Sequence, residues 1–171
     1  MSYGLIILLA FVSANLIHKY LFAPVVVDGS SMEPTLQNNN LLILSRVSQI
    51  ERYDIIVFEY DDKMLIKRLI GLPGDYVEYR DQTLYINGKR IDEPYLNGNV
   101  MYRNFNLEEV CEKSDTNCNI DGEVKIPEGF YLVLGDNRNI SLDSNDYGLI
   151  TEEVVAGEAI FRIRGGFGKI K

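Results

Sequence analysis

Beyond Pro24 the sequence is a succession of short β-branched and aromatic runs, each broken within a few residues by Gly, Pro, Asn or Asp. This pattern is typical of a mostly antiparallel β protein, because runs this short match strands better than helices. The predicted strands are Val25–Val27, Leu41–Leu44, Asp54–Tyr60, Met64–Ile70, Tyr76–Tyr79, Thr83–Ile86, Phe130–Leu134 and Glu158–Arg164. Only Thr151–Val155, with Thr151 as a possible N-cap, indicates a helical turn.

Two sets of turn residues predict hairpins. Asp61-Asp62-Lys63 joins two of the predicted strands, and Asn87-Gly88 is a strong two-residue type I′ signal after the Thr83 strand. Between Asn97 and Glu123 the alternation fails and charged residues accumulate, so we expect an irregular surface annex there.

The N-terminal segment Tyr3–Ala23 is mostly apolar and has about the length that a bilayer-spanning helix needs. It predicts a single transmembrane helix that Pro24 ends. A cleaved secretory signal, with Val12-Ser13-Ala14 as its cleavage site, and a buried core helix remain alternatives. Lys19 on the C-terminal flank argues weakly against export of the part that follows.

The inventory of side chains excludes several function classes. A formal net charge of −8 argues against nucleic acid as a partner, because phosphate binding needs a basic surface. The single histidine, His18, lies in the apolar N-terminal segment, which makes a Ser/His/Asp triad improbable. With one histidine and two cysteines the chain is also short of zinc ligands, and we expect no metal and no cofactor.

A serine-bearing turn and a lysine-bearing strand are the candidate sources of chemistry. Ser30 and Ser31 follow an apolar strand, in a turn stiffened by Pro34 that can expose a hydroxyl, although an ordinary polar turn would look the same. Strand alternation puts Lys67 on the face of Leu65 and Leu69. A buried lysine can have a pKa low enough to act as a base, whereas an edge-strand lysine would reach water.

A third segment, Leu134–Ser144, runs from a strand end into a loop rich in Gly, Asp, Asn and Ser. Taken alone it is a generic turn. Its carboxylates, Asp136 and Asp143, do not have a convincing metal-ligand spacing.

Together these segments resemble type I signal peptidases, the serine/lysine endopeptidases of the general secretion pathway, and especially the short bacterial forms with a single anchor. The resemblance covers nearly the whole chain. Its main motifs are Ser31-Met32 with Pro34-Thr35-Leu36, Ile66-Lys67-Arg68 with Gly71-Leu72-Pro73-Gly74-Asp75, and Gly135-Asp136-Asn137-Arg138 with Ser141, Asp143 and Ser144. Lesser matches are Asp54-Ile55-Ile56-Val57, Leu84-Tyr85-Ile86-Asn87-Gly88 and Asp92-Glu93-Pro94-Tyr95-Leu96.

The resemblance implies a role for each matched residue. Ser31 would be the nucleophile and Lys67 the general base, with Ser141 orienting the Lys67 amine. Arg68 paired with Asp136, and Asp143 nearby, would hold the site. The backbone around Gly29, Ser30 and Ser31 would form the oxyanion site, with the Ser31 N–H as one donor.

Three positions depart from the family pattern. Gly29 stands where some members carry a serine hydroxyl for the oxyanion, although glycine is usual in the short forms. Asn145 replaces a common arginine, and Tyr53 replaces the glycine of an Arg-Gly-Asp turn. These last two changes concern the packing around the site.

The fold that the resemblance implies is a mostly β, antiparallel catalytic core with a smaller inserted β domain, preceded by one transmembrane helix. Accordingly we expect an anchor over 3–23, a core over 24–74 and 127–171, and an inserted domain over 75–126. The enzyme would be single-pass in the cell membrane, with the lipid bilayer as a partner and the catalytic domain on the extracytoplasmic side.

Its substrates would be preproteins with small residues at positions −1 and −3, bound as an extended strand beside Val25–Val27. A non-catalytic or dedicated pilus-assembly relative is the alternative. A self-cleaving repressor would carry a DNA-binding domain where this chain has its hydrophobic segment.

Cys111 and Cys118 are separated by six residues in the predicted annex. We expect them to form a disulfide if the catalytic domain faces an oxidising exterior, and a pair of free thiols is the alternative.

Overall fold

The computed structural model describes residues 3–96 and 101–170, and it leaves out the side chains of residues 14–20. Residues 97–100 of the predicted annex, the side chains of His18 and Lys19, and Lys171 therefore lie outside the described part. The described helices are α1 (Tyr3–Tyr20), α2 (Leu107–Lys113) and α3 (Ser144–Tyr147), with a 3₁₀ turn at Glu152–Val154. The strands are β1 (Phe22–Val26), β2 (Leu41–Ser45), β3 (Ile55–Tyr60), β4 (Lys63–Gly71), β5 (Val77–Arg80), β6 (Thr83–Ile86), β7 (Lys89–Ile91), β8 (Asn119–Ile120), β9 (Glu123–Val124), β10 (Phe130–Leu134), β11 (Ile150–Thr151), β12 (Val155–Arg164) and β13 (Gly168–Lys169).

The largest sheet is antiparallel and has the strand order β1-β2-β12-β3-β4-β10-β11, with β13 also paired to β12. The eight predicted strands are confirmed within a few residues at their ends. Both predicted hairpins are confirmed as well. Tyr60 pairs with Lys63 across one turn and Ile86 with Lys89 across the other, and the two residues of each turn have the positive φ that a type I′ turn requires.

The N-terminal helix is shorter than predicted. It ends at Tyr20, and Phe22, Ala23 and Pro24 belong to β1, so the prediction that Pro24 ends the helix is wrong. The N–H and C=O of Val27 both bond toward the β2 side, and strand alternation therefore turns the backbone of Pro24 to the free edge of the sheet. A missing N–H is tolerated there. Over the described residues, no helix is both long enough and apolar enough to cross a membrane.

The segment 75–126 forms two sheets of its own, β5-β6-β7 and β8-β9, and none of their strands pairs with the large sheet in the described part of the chain. One hydrophobic cluster nevertheless contains Leu132 and Leu134 of the large sheet together with Val77, Leu84 and Val110 of the segment. We call residues 75–126 the inserted segment. Its packing against the large sheet is what brings its side chains near the site described below.

Helix α2 corrects the prediction of an irregular annex. Asn106 caps it by accepting a hydrogen bond from the Glu109 N–H at 2.9 Å, and Leu107, Val110 and Cys111 form its buried face. The Asn-x-x-Glu spacing and the i, i+3, i+4 apolar positions were readable in the sequence, but they were hidden among many charged residues. The predicted disulfide is confirmed: Cys111 is bonded to Cys118, with their Cα atoms 6.2 Å apart.

Candidate active site

Ser31 lies in a turn that follows β1, and buried side chains of the same turn hold it in place. Met32 and Leu36 are buried in the core, and the Leu36 N–H donates to the Met32 carbonyl at 2.8 Å. The Glu33 N–H donates to the Ser30 carbonyl at 3.1 Å and closes the turn. Because the apolar side chains of the turn point inward, Ser30 and Ser31 are left half-buried at the surface of a cleft.

Lys67 lies on β4, opposite Ile56 of β3, and only 3% of its surface is exposed. Its Nζ donates a hydrogen bond to Ser141 Oγ at 3.1 Å. Burial lowers the pKa of Lys67 to about 8, against the nearby negative charges of Asp143, Asp146 and Asp136, which act to raise it. A substantial fraction of the amine is therefore neutral and able to accept a proton near pH 8.

Ser31 and Lys67 open onto the same cleft, which has a volume of about 430 Å³. Its lining consists of Ser30, Ser31, Tyr60, Asp61, Lys63, Leu65, Lys67, Ile140, Leu142 and Tyr147. Within the described part of the chain, no direct hydrogen bond joins Ser31 Oγ to Lys67 Nζ. The Lys67 amine donates to Ser141 Oγ instead. Hydrogen bonds between catalytic groups often tighten only when substrate binds.

Residues 135–141, which we call the site loop, contact both of these residues. The Asn137 N–H donates to the Ser31 carbonyl at 2.9 Å, and Asn137 Nδ2 donates to the Ser30 carbonyl at 3.1 Å. At its far end the loop supplies Ser141 to Lys67. The role of Asn137 was not predicted from the sequence, although its place between Asp136 and Arg138 in the matched motif was an available signal.

Gly135 begins the site loop in very close contact with its neighbours. A Cβ atom at this position would lie 2.1 Å from Ser141 Oγ and 2.6 Å from the Ser31 carbonyl oxygen. Any side chain at position 135 would have to displace Ser141 or the Ser31 carbonyl. Glycine is therefore required, because these groups pack directly against its backbone.

Arg68 and Asp136 form a buried ion pair on the other side of β4 from Lys67. Arg68 Nε donates to Asp136 Oδ1 at 2.8 Å and Nη2 to Oδ2 at 2.5 Å, with both side chains almost fully buried. Thr35 Oγ1 donates to the same carboxylate at 2.5 Å, and Arg68 Nη1 donates to the Tyr53 carbonyl at 2.7 Å. The pair thus ties the serine turn, β4 and the site loop together.

Asp143 contributes to the site through hydrogen bonds. Its carboxylate accepts the Gly135 N–H at 3.1 Å, the Asn145 N–H at 3.2 Å and the Tyr102 hydroxyl, and it caps α3. No arginine or lysine nitrogen of the described residues lies within 4 Å of its carboxylate oxygens, and position 145 is an asparagine here. Burial raises the pKa of Asp143, and the hydrogen bonds from Tyr102, Gly135 and Asn145 oppose that rise.

The backbone N–H groups of residues 29–31 differ in whether they already donate a hydrogen bond within the protein. The Gly29 N–H donates to Asn38 Oδ1 at 3.1 Å, so the prediction that Gly29 serves an oxyanion does not agree with this arrangement. The N–H groups of Ser30 and Ser31 have no hydrogen-bond acceptor among the described residues. Across residues 3–96 and 101–170, no three His, Cys, Asp or Glu side chains are grouped so as to hold a metal ion.

The chain is similar to proteins of a known family. The family model described as signal peptidase, peptidase S26, matches residues 1–164. Signal peptidase I S of Bacillus subtilis is 42% identical over 160 residues, which cover 91% of this chain and 84% of that protein. Signal peptidase I of Bacillus licheniformis is 44% identical over 162 residues, covering 91% and 83%. Signal peptidase IB of Staphylococcus aureus is 39% identical over 165 residues, covering 91% and 85%.

A solved structure is similar as well. The crystal structure of a signal peptidase I from Enterococcus faecalis matches with a TM-score of 0.53 and 39% sequence identity. The match covers 66% of this chain and 97% of that one.

Proposed function

Because the chain belongs to the signal peptidase family, peptidase S26, and is a serine endopeptidase of the signal peptidase I type, we propose that it removes signal peptides from exported precursor proteins with a Ser31/Lys67 dyad. The observation that carries the dyad is the state of Lys67. It is a buried lysine with a pKa near 8, and it opens onto the same cleft as a half-exposed serine.

In the proposed reaction, neutral Lys67 takes the Ser31 hydroxyl proton as Ser31 Oγ attacks the scissile carbonyl carbon. The tetrahedral intermediate then collapses, its C–N bond breaks, and the Lys67 ammonium protonates the leaving amine. In the second half of the reaction a water molecule attacks the carbonyl carbon of the acyl-enzyme ester, and neutral Lys67 takes a proton from that water. The ester C–O bond then breaks, the Lys67 ammonium returns the proton to Ser31 Oγ, and the new carboxylic acid leaves. Lys67 thus takes up and gives back one proton in each half of the reaction, so a single amine is sufficient.

Three further features support this chemistry. Ser141 accepts the hydrogen bond from Lys67 Nζ at 3.1 Å and fixes the direction in which the amine points. The N–H groups of Ser30 and Ser31 supply the donors for the oxyanion, since neither has an acceptor among the described residues. Arg68 and Asp136 hold the serine turn against β4.

We further propose that the substrate binds as an extended strand at the free edge of β1. Val27 turns its backbone groups toward the β2 side, and strand alternation leaves those of Val26 facing outward. The cleft that holds Ser31 is lined in part by Leu65, Ile140 and Leu142, which suit apolar substrate side chains. The substrates that we propose are precursors with small residues at positions −1 and −3.

For location, we propose a single-pass protein anchored in the cell membrane by its N-terminal segment, with the catalytic domain on the extracytoplasmic side. Two observations support this. The side chains of residues 3–13 are largely exposed and mostly apolar, which suits contact with lipid. The disulfide between Cys111 and Cys118 suits an oxidising compartment.

The direct test is to incubate the detergent-solubilised protein with a precursor that carries a signal peptide and to determine the N-terminus of the product. One cut after a small-x-small sequence supports the proposal. Absence of cleavage, with the same precursor cut by a related signal peptidase under the same conditions, would favour a non-catalytic relative.

A further inference from the structure

The relative position of the two proposed catalytic residues depends on the site loop. Asn137 donates to the backbone of the serine turn at 2.9 Å, and Ser141 bonds Lys67 at 3.1 Å. Ser31 and Lys67 themselves lie on different elements, a turn after β1 and the middle of β4. A shift of the site loop would therefore move the serine turn, the lysine amine or both.

Arg138 belongs to the site loop, and its side chain bonds to the backbone of the same loop. Its Nε donates to the Gly135 carbonyl at 2.9 Å, so its side chain closes the loop on its own first residue. The guanidinium has no exposed surface and lies 5.5 and 5.4 Å from the ring centres of Tyr79 and Tyr102. Such a buried cation needs a counter-charge in fixed geometry.

Glu93 supplies that counter-charge from the inserted segment. Its carboxylate accepts two hydrogen bonds from Arg138, one from Nη1 at 3.1 Å and one from Nη2, and its side chain is 7% exposed. Two parallel N–H···O bonds fix the plane of the guanidinium as well as its place. With that plane fixed, the remaining Nε–H points at the Gly135 carbonyl.

We propose that Glu93, acting through Arg138, is a positioning residue for the Ser31/Lys67 dyad, and that by this contact the inserted segment sets the geometry of the active site. The inference rests on the proposed function, because it concerns the same dyad. Glu93 contacts neither proposed catalytic residue. Its carboxylate also accepts a hydrogen bond from the Tyr95 hydroxyl at 2.7 Å, so Arg138→Lys, which leaves that bond in place, is the variant that tests the route through Arg138.

Two variants test the proposal. Arg138→Lys keeps a cation beside Glu93, but one ammonium group cannot pair with both carboxylate oxygens and also reach the Gly135 carbonyl in the same geometry. Glu93→Gln keeps the size and one acceptor but loses the charge. For both we expect kcat to fall about 10- to 100-fold, the scale of an ångström-size misplacement, with KM within about twofold of wild type.

Arg52→Lys is the matched control. Arg52 Nη1 likewise donates both to a backbone carbonyl, that of Ile70 at 2.7 Å, and to a carboxylate of the inserted segment, Asp75 at 2.6 Å, but it does not touch the site loop. We expect a comparable loss of thermal stability and a kcat within about twofold of wild type.

The rates are measured on protein shown to be folded by circular dichroism, together with Ser31→Ala. A folded Arg138→Lys or Glu93→Gln variant with wild-type kcat would overturn the inference, as would an equal fall in kcat for Arg52→Lys. If Ser31→Ala remained active, the proposed function would fail. If Ser31→Ala were inactive and both positioning variants kept full kcat, only this inference would fail.

Discussion

The state of one side chain, Lys67, decides what chemistry the site can perform. The alternation of β4 places it on the inward face, where 3% of its surface remains exposed and where burial is the largest influence on its pKa. The nearby carboxylates act in the opposite direction and keep the pKa at about 8. The amine is thus a base that is partly neutral at mildly alkaline pH and charged in acid.

This state gives a pH prediction. Because only the neutral amine can take the Ser31 proton, kcat/KM should rise with pH up to about 8 and then level off. Well below that pH the rise should be roughly tenfold per unit, with the slope of a single ionisation. The measurement is kcat/KM for a signal-peptide substrate from pH 5 to pH 10, and a flat profile between pH 5 and pH 8 would contradict the lysine base.

The sequence indicated which residues form the site, but it indicated less about how their side chains are buried and bonded. Strand alternation alone placed Lys67 among apolar neighbours, but it could not tell an edge strand from an interior one. β4 is interior because β3 and β10 pair with it on both sides, which is a property of the sheet order. Asp143 was expected near the site without a predicted partner, and its carboxylate accepts a hydrogen bond from the Tyr102 hydroxyl of the inserted segment. A contact between residues 41 positions apart has no local sequence signal.

Among the elements, the site loop leaves little room for change. Its first residue, Gly135, leaves no room for a side chain between Ser141 and the Ser31 carbonyl. The loop also holds the serine turn through Asn137. Its fit therefore depends on backbone approach as much as on the chemistry of its side chains.

Gly135→Ala should consequently lower kcat by roughly 100-fold or more, because the new Cβ must displace Ser141 or Ser31. Gly88→Ala is the control. Nothing lies within 4 Å of a Cβ there, and its positive φ should cost stability, about 1 kcal/mol, without affecting the site. Steady-state kinetics on both folded variants makes the comparison, and a Gly135→Ala enzyme with near-wild-type kcat would show that the contact is not constraining.

The elements themselves were predicted unevenly, for physical reasons. Strands with strong alternation and hairpins with Asp-Asp or Asn-Gly turns were predicted because their signals are local. Helix α2 was missed because its apolar positions are few and its other residues are charged. The end of α1 was misplaced because Pro24 could as well lie on the outward side of an edge strand, and only the sheet order distinguishes the two.

In the whole molecule, two features of the inserted segment are separable. One is its contact with the site through Glu93 and Tyr102, and the other is the disulfide that closes a loop within the segment between Cys111 and Cys118. The disulfide does not touch the cleft that holds Ser31. Its effect should therefore be on stability and not on the rate of cleavage.

Replacing both cysteines by alanine should destabilise the protein by ~2 to 3 kcal/mol, because the unfolded chain regains the freedom of a short loop. For a chain of this size that is a fall in Tm of roughly 4–12 °C. Differential scanning calorimetry of the variant, beside wild type with and without reductant, provides the measurement. An unchanged Tm, or a tenfold fall in kcat at a temperature where the variant is folded, would contradict this separation.

The most direct test of the central claim compares two adjacent serines on one precursor. Ser31→Ala removes the nucleophile and Lys67→Ala removes the base, and each should lower kcat/KM at least about 10³-fold. Lys67→Arg should lower it as much, because a guanidinium cannot release its proton near neutral pH. Ser30→Ala should retain most of its activity, because Ser30 would contribute its backbone N–H and the substitution keeps that group. Equal losses at Ser30 and Ser31, or an active Lys67→Arg enzyme, would contradict the Ser31/Lys67 dyad.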